Sequence, residues 1–199
     1  MHFKRFLDIK PEISNLFIIF INNKVLYDLN DKTFLLNSSF LNFTNFEFKK
    51  IGIAQDNNIN IYAADLSNEP FSLSNQGYQS LVEYDLRYLM TILSEKDLGL
   101  VGRANQLLHY LNSSKHCGYC GSVMEFDSTE EAMFCKCNNL MIYPKISPCV
   151  LALIKKDNQI LLARNALFPE GLYSALAGFI EVSETAEETV IREVFEEVS

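Results

Sequence analysis

Three glutamates and an arginine near the end of the chain have residue types and a spacing suited to metal chemistry. In "TAEETVIREVFEEV", Glu193, Glu196 and Glu197 are spaced i, i+3 and i+4, so a helix brings their carboxylates to one face. Grouped carboxylate oxygens suit divalent cations such as Mg²⁺ or Mn²⁺. Arg192 lies four residues from both Glu188 and Glu196 and can orient these acids through charge-assisted hydrogen bonds. The simpler alternative is a solvated acidic helix face that binds no ion.

Local signals predict where this helix begins and which of its faces is buried. Thr185 and Glu188 form the pattern T-x-x-E, a capping box that places the helix start near Thr185. Apolar residues at i, i+4 steps predict a stripe that packs against the rest of the domain. The residues of this stripe are Ala186, Val190, Val194 and Val198.

A second group of chemically capable residues is a cluster of cysteines. Cys117 and Cys120 form a C-x-x-C knuckle, a spacing that lets two thiolates reach one ion. The second pair, Cys135 and Cys137, is C-x-C, and Asn138 stands where a C-x-x-C would end. In a reducing compartment such clustering favours a bound metal over disulfides.

The identity of a fourth ligand is open from the residues alone. Asn is a poor zinc ligand, so Cys137 would bind through a remodelled turn, or His116 would replace it. The simpler alternative is a ribbon held by packing, with free thiols. A redox C-x-x-C is disfavoured because no β-α-β pattern follows it. A zinc with four protein ligands would be structural, because no position stays open for a substrate.

Composition narrows the class of protein. The chain has 199 residues, 48% of them hydrophobic, and a formal net charge of -8, so general binding of nucleic acid is not expected. Anionic small substrates are still accessible if a divalent cation mediates their binding. No secretory signal is evident at the N-terminus, and the early apolar run Leu16–Ile21 is far too short to span a bilayer. A cytoplasmic protein with no membrane partner is expected.

The order of patterns along the chain predicts an α+β fold. The runs "NLFIIFI", "KVLYDL", "KTFLLN" and "NINIYAADL" predict strands separated by turns rich in Asn, Asp and Ser. Helices are predicted over roughly 83–93 and 97–111. The apolar residues that recur at helical spacing in the second are Leu100, Ala104, Leu107, Leu108 and Leu111.

The second half of the chain changes pattern twice. A small cysteine-bearing module occupies 114–145, and "PCVLALIKKDNQILLARN" then predicts a hairpin with a Lys-Lys-Asp-Asn turn. A loop and "YSALAGFIEV" precede the acidic helix. Three domains are therefore predicted, with boundaries at 1–113, 114–145 and 146–199.

The spacing around the acidic helix resembles a known family motif. Gly178, Glu184, Arg192 and the following glutamates match G-x5-E-x7-R-E-U-x-E-E-x-G-U, the Nudix box, in which U is aliphatic; the match departs at Ser199, where the box has Gly. The segments "HCGYCG", "EEAMFCKC", "YPKISPCVLALI" and "GLYSALAGFIEVSET" occur in the order seen in the NAD(H) diphosphatase branch of the Nudix hydrolases. The chain thus resembles that branch from about 107 to 198.

The resemblance implies an architecture and a set of site residues. The fold would be a Nudix-like N-terminal domain, a small zinc ribbon, and the first half of a Nudix α/β/α sandwich, usually in a homodimer. Glu196, Glu197 and Arg192 would act in catalysis. The implied ligands of Mg²⁺ or Mn²⁺ are Glu193, Glu196, Glu197 and the Ala177 carbonyl. The implied ligands of Zn²⁺ are Cys117, Cys120 and Cys135, with Asn138 at the fourth position of the family and Cys137 as its replacement. Glu130, Tyr143 and Phe179 would contact the substrate, with core packing as the alternative role for the two rings.

The implied reaction is hydrolysis of the diphosphate in NADH or NAD⁺ to a nicotinamide mononucleotide and AMP, and the same chemistry would remove an NAD cap from RNA. Because the family's domain continues beyond the box, a chain ending at Ser199 predicts a C-terminally truncated enzyme whose half sheet leaves apolar faces uncovered. The alternative is a catalytically inactive remnant that acts as an interaction module. A zinc-ribbon adaptor for nucleic acid is disfavoured by the net charge of -8.

Overall fold

A computed structural model describes five stretches of the chain. These are residues 2–3, 15–37, 50–56, 59–68 and 79–198. Ser199, which replaces the final Gly of the Nudix box, lies outside these stretches. Most of the N-terminal segment in which no secretory signal was expected also lies outside them. The chain divides into two compact units, 1–144 and 145–199. The predicted division into three domains stays a prediction.

In the described residues, a mixed sheet dominates the first unit. Its strands are β1 (His2–Phe3), β2 (Leu16–Ile21), β3 (Lys24–Asp28), β4 (Leu36–Asn37), β5 (Lys50–Asp56), β6 (Ile59–Asp65) and β7 (Leu81–Tyr84). They lie in the order β1-β5-β6-β2-β3-β7, with β4 paired to β2. The pair β2–β6 is parallel and the other pairs are antiparallel. The predicted mixture of α and β structure is confirmed.

Strand β2 lies in the middle of this sheet and is buried on both faces. Ile18 and Phe20 belong to one apolar cluster, and Phe17 and Ile19 belong to the cluster on the opposite face. A strand covered on both sides reads as an unbroken apolar run rather than an alternating one, which explains "LFIIFI". The tight turn into β3 uses Asn22 and Asn23 at φ 49° and 64°, a left-handed conformation that Asn tolerates.

Two helices follow the sheet in the chain. They are α1 (Leu86–Ile92) and α2 (Glu95–Ser113). The prediction of a helix over 97–111 is confirmed, and Ser94 caps it by accepting the Asp97 N–H at 3.2 Å. The earlier helix begins later than predicted, because Glu83 pairs with Leu26 in the sheet and Asp85 then caps α1. Leu100, Ala104 and Leu107 of α2 are buried against the sheet.

The cysteine module packs against the C-terminal end of α2. Its strands are β8 (Glu125–Asp127), β9 (Ala132–Cys135) and β10 (Leu140–Ile142), antiparallel in the order β10-β9-β8. Tyr110 of α2 is buried with Cys117 and Cys135. Its hydroxyl accepts the Met133 N–H at 2.7 Å and donates to the Ile142 carbonyl. One hydroxyl therefore joins α2 to two strands of the module.

Replacing Tyr110 with Phe is expected to lower the free energy of unfolding by about 1–3 kcal/mol, because the Met133 N–H loses its partner in a buried position. Urea denaturation of the purified chain measures this change. Tyr119 is an exposed tyrosine of the same module, and Tyr119→Phe is expected to stay within about 0.5 kcal/mol of the parent. Equal effects of the two substitutions would show that the buried hydroxyl contributes nothing.

The second unit contains four short strands and one helix in its described residues. They are β11 (Cys149–Ala152), β12 (Lys155–Lys156), β13 (Gln159–Ile160), β14 (Leu176–Phe179) and α3 (Ala186–Val198). The predicted hairpin is confirmed only at its tip, where β12 and β13 pair around a turn with Asp157 at φ 53°. Strand β11 pairs with β14 instead, in antiparallel register that sets Val150 opposite Gly178. As expected for a small sheet, Leu151 and Phe179 are exposed.

In the described part of the chain, no helix combines the length and the apolar composition that a membrane crossing requires.

Candidate active site and cysteine cluster

Helix α3 begins at the capping box that the sequence predicts. The Thr185 N–H donates to Glu188 Oε2 at 2.8 Å, and the Glu188 N–H donates to Thr185 Oγ1 at 3.2 Å. The predicted helix start is confirmed. The carboxylate of Glu188 is thus a helix cap. Of the two acids that Arg192 was expected to orient, it contacts Glu196 and not Glu188.

The buried face of α3 differs from the predicted stripe. The helix lies against β11 and β14, and Thr189 is its fully buried side chain. Val190 and Val194 are partly buried, whereas Ala186 and Val198 are exposed. The stripe is therefore wrong at both ends. The face that contacts the two strands also includes the polar residues Thr189 and Glu193, which are neighbours at i, i+4.

Arg192 donates hydrogen bonds to four residues on three parts of the unit. Its Nε and Nη2 donate to the two carboxylate oxygens of Glu184 at 2.6 and 2.9 Å, and Nη2 also donates to the Phe179 carbonyl at 3.0 Å. Its Nη1 donates to Glu193 Oε1 at 2.8 Å and to Glu196 Oε2 at 3.4 Å. The guanidinium thus joins the end of β14, the loop before α3 and the acidic face of α3.

Glu184 is the fixed partner in this network. Besides Arg192, it accepts the Glu181 N–H and the Thr189 hydroxyl, each at 3.0 Å on Oε2. The side chain is 19% exposed. These donors, Arg192 above all, lower the pKa of Glu184 to about 2. The hydrogen bonds that Arg192 donates to Glu184, followed by the one that it donates to Glu193, raise the pKa of Arg192 above its usual value. Both groups are therefore charged throughout the neutral pH range.

Gly178 of β14 lies directly against the Glu193 side chain of α3. A Cβ on this residue would lie 1.8 Å from Cδ of Glu193, so only glycine leaves room for that carboxylate. The Glu193 side chain is 15% exposed and lies beside the strand residue that follows Ala177. Because Gly178 has no side chain, the Glu193 carboxylate can approach the backbone of β14. Both Glu193 and the neighbouring Ala177 carbonyl are predicted metal ligands.

The three glutamates predicted to bind Mg²⁺ or Mn²⁺ are brought to one helix but not into one tight group. Among the described residues, the set of three potential ligand atoms within 4.8 Å of one another is formed by cysteines, not by Glu193, Glu196 and Glu197. Arg192 lies between Glu193 and Glu196, and Glu196 and Glu197 are exposed. Their metal-binding role stays a prediction.

The substrate residues predicted in the first unit are in contact. The Tyr143 hydroxyl donates to Glu130 Oε2 at 3.1 Å, and the tyrosine is 42% exposed. A recess of about 380 Å³ lies beside it. The residues that line this recess are Arg103, Gln106, Leu107, Tyr143 and Pro144. In the second unit, the Phe179 residue is 63% exposed. Core packing therefore does not explain either ring.

The cysteine cluster has three members. The sulfurs of Cys117, Cys120 and Cys135 lie within 4.8 Å of one another, a group that can hold a metal ion. Cys137, predicted as a further ligand, lies outside this group, with its Sγ 3.3 Å from Ser122 Oγ. The Asn138 amide lies instead beside Cys117 and Cys135.

Hydrogen bonds lower the pKa of two of these thiols. The backbone N–H groups of Tyr119 and Cys120 lower the pKa of Cys117, and the first of these lies 3.4 Å from the sulfur. Hydrogen bonding by Ser122 lowers the pKa of Cys120 to about 6. Because the thiolate is the form that binds metals, this environment favours a bound cation.

Sequence reasoning did not identify the roles of two residues in this site. Glu184 and Gly178 were singled out only by their spacing in the motif. In the structure, Glu184 is the main partner of Arg192, and Gly178 leaves the space that the Glu193 side chain occupies. Opposite charge was the available signal that Glu184 pairs with Arg192. Glu184 lies eight residues before Arg192, however, which is outside the range of neighbours on a helix.

Parts of the chain are similar in sequence to known proteins. Residues 144–199 match the NUDIX domain family. The chain therefore contains a segment of the NUDIX domain family at residues 144–199. The NAD-capped RNA hydrolase NudC of Enterobacter sp. (strain 638) is 46% identical to this chain over 98 residues, which are 49% of this chain and 38% of that protein. The NAD-capped RNA hydrolase NudC of Escherichia coli O157:H7 is 42% identical over 117 residues, 57% of this chain and 45% of that protein. The chain thus spans less than half the length of these curated relatives.

Proposed function

We propose that this chain belongs to an enzyme that hydrolyses the diphosphate of NADH or NAD⁺ to a nicotinamide mononucleotide and AMP, and that NAD-capped RNA is a further substrate. The observation that carries the proposal is the Arg192 network, which joins Glu184, Glu193 and Glu196 in the spacing of the Nudix box. The similarity to two NAD-capped RNA hydrolases supports the choice of substrate class.

Carboxylates on one face of α3 have the right donor chemistry for Mg²⁺ or Mn²⁺, which prefer oxygen ligands. Glu193, Glu196, Glu197 and the Ala177 carbonyl would hold the cation. When bound, it would neutralise charge on the diphosphate and activate a water for attack. Arg192 offsets the repulsion between Glu193 and Glu196 by donating a hydrogen bond to each carboxylate.

Exposed aromatic rings support nucleotide recognition. Tyr143 is held at one edge by Glu130 and forms part of the recess in the first unit. Phe179 presents its ring to solvent while its carbonyl binds Arg192. Each ring would stack on a base or on the nicotinamide, since stacking on aromatic side chains tolerates different ring systems. NADH, NAD⁺ and NAD-capped RNA all present such rings next to a diphosphate.

Two further features complete the proposal. Zn²⁺ at the cysteine cluster would stabilise the module that carries Glu130 and Tyr143, as a structural rather than a catalytic ion. The enzyme would act as a homodimer, as the resemblance to the NAD(H) diphosphatases implies.

Release of AMP from NADH by the purified chain tests the proposal. Turnover with Mg²⁺ or Mn²⁺ is expected to fall to background with EDTA, and Glu197→Gln is expected to lower it by on the order of 100-fold or more, because metal ions contribute several kcal/mol to such reactions. Glu187 is an exposed glutamate of the first turn of α3, so Glu187→Gln is the matched control and should retain activity.

Absence of turnover from protein shown to be folded would favour the alternative, an inactive chain that acts as an interaction module. Loss of activity in Glu187→Gln as well as Glu197→Gln would mean that turnover depends on the total negative charge of α3 and not on the position of Glu197 in the box.

A further inference from the structure

We propose that Asn138, and not Cys137, supplies the fourth ligand of a metal site formed with Cys117, Cys120 and Cys135. The site would take a thiophilic divalent cation such as Zn²⁺ with three thiolates and one side-chain amide. This inference rests on the metal proposed above for the cysteine cluster, and it concerns which residues of this chain complete that site.

The three sulfurs lie close enough together to share one ion, and one pair has the separation that a tetrahedral site requires. Sγ of Cys120 lies 3.6 Å from Sγ of Cys135, and all three sulfurs lie within 4.8 Å of one another. With Zn–S bonds of about 2.3 Å, the edge between two sulfurs of a tetrahedron is about 3.8 Å. Cys120 and Cys135 therefore match one edge of such a tetrahedron, and Cys117 lies within 4.8 Å of both.

The amide of Asn138 lies beside two of the three sulfurs, at distances close to those of a fourth ligand. Its Nδ2 is 3.7 Å from Sγ of Cys117 and 4.0 Å from Sγ of Cys135. An oxygen ligand about 2.1 Å from zinc would lie about 3.6 Å from each sulfur. Rotation of the amide by half a turn exchanges its nitrogen and oxygen, and so brings the acceptor oxygen to this corner. The amide oxygen would then lie within a few tenths of an ångström of the ideal distance from Cys117 and Cys135.

Cys137 is directed away from this corner. Its Sγ lies 3.3 Å from the Ser122 hydroxyl, and it is not a member of the group of three. His116 forms an isolated bridge with Val123 and is also outside that group within the described residues. The turn after β9 thus presents the side chain of Asn138, rather than that of its neighbour, to the other sulfurs.

A neutral amide changes the character of the site. Three thiolates and one amide around a divalent ion carry a net charge of about −1, whereas four thiolates carry about −2. An amide oxygen is a weaker ligand than a thiolate for a soft cation. Asn138 and Cys120 are exposed while Cys117 and Cys135 are buried, so water can reach the amide corner. The bound ion is therefore held less tightly than a four-cysteine site would hold it.

Metal titrations of the full chain under reducing conditions test the assignment. Zn²⁺ affinity is measured by competition with a chromogenic chelator for the parent, Asn138→Asp, Asn139→Asp and Cys137→Ser. Asn138→Asp is expected to bind Zn²⁺ at least about tenfold more tightly, because a carboxylate replaces a neutral ligand. Asn139→Asp adds the same charge one residue away and controls for general electrostatic attraction. Cys137→Ser should leave the affinity unchanged.

Substitution with Co²⁺ counts the thiolates directly, since sulfur-to-cobalt charge-transfer absorbance grows with each one. Asn138→Cys is expected to raise this absorbance by about a third, from three thiolates to four. A loss of absorbance or affinity in Cys137→Ser would assign the fourth ligand to Cys137 and overturn the inference. Equal gains in Asn138→Asp and Asn139→Asp would also overturn it.

Failure of the proposed metal site is a different outcome. If the parent chain binds neither Zn²⁺ nor Co²⁺, the three-cysteine site itself is wrong, and with it the fourth ligand. Release of AMP from NADH, measured separately, then decides whether the proposed reaction survives without that metal.

Discussion

Replacing Arg192 with lysine is expected to lower kcat/KM for AMP release from NADH by on the order of 100-fold, since small displacements of catalytic groups carry costs of this size. The guanidinium binds both oxygens of Glu184, the Phe179 carbonyl and two further glutamates at once. An ammonium group is a single point charge and cannot make this planar set of contacts. Glu193 and Glu196 would then separate. Steady-state kinetics and Mn²⁺ affinity by electron paramagnetic resonance measure both consequences.

Arg164 provides the matched control in the same unit. Its Nη1 makes a single exposed hydrogen bond to the Phe168 carbonyl at 2.8 Å, which a lysine can replace. Arg164→Lys should therefore retain both turnover and Mn²⁺ affinity. If Arg192→Lys behaves in the same way as Arg164→Lys, the charge of Arg192 is sufficient and its fork geometry is not required.

Gly178→Ala is expected to produce a comparable loss of turnover with little loss of folded protein. The added Cβ would lie 1.8 Å from Cδ and 1.9 Å from Oε1 of Glu193, a distance at which one of the two must move. The atoms that it meets belong to a flexible side chain, so Glu193 would swing away and leave the backbone in place. Its bond to Arg192 would be lost, and turnover would fall by on the order of 100-fold.

The control for this substitution is Gly102→Ala in α2, where an added Cβ meets nothing within 4 Å. That change should stabilise the protein by about 0.5–1 kcal/mol, because Ala is the better helix former, and should leave turnover unaffected. Circular dichroism and thermal melts of both variants separate folding from function. Full activity in Gly178→Ala would show that the position of Glu193 is not critical.

Features that depend on neighbours in the chain were predictable from the sequence. The capping box of Thr185 and Glu188 is a contact between residues three apart, and both of its hydrogen bonds form. The apolar spacing from Leu100 to Leu108 predicted a helix that buries that face. The unbroken run Leu16–Ile21 predicted a buried strand, which is β2. In each case the signal and the structure arise from the same few residues.

Features that depend on packing between distant segments were not predictable. Strand β5 contains a bulge near Gly52 and follows no simple alternation, so it was missed. The valine stripe of α3 was placed wrongly because the polar pair Thr189 and Glu193 contacts the strands. The exclusion of Cys137 from the cysteine cluster likewise depends on the conformation of a turn, which residue types alone do not determine.

Helix α2 belongs to two cores at once, and this has a thermodynamic consequence. Leu100 and Leu107 pack on the large sheet, while Tyr110 packs with Cys117 and Cys135. An ion that binds only the folded cysteine module adds RT ln(1 + [L]/Kd) to the free energy of unfolding. Because one continuous helix joins the two cores, binding of the proposed ion would stabilise the helix that the sheet packs on as well as the cysteine module. Added metal would then raise the unfolding midpoint of both cores together.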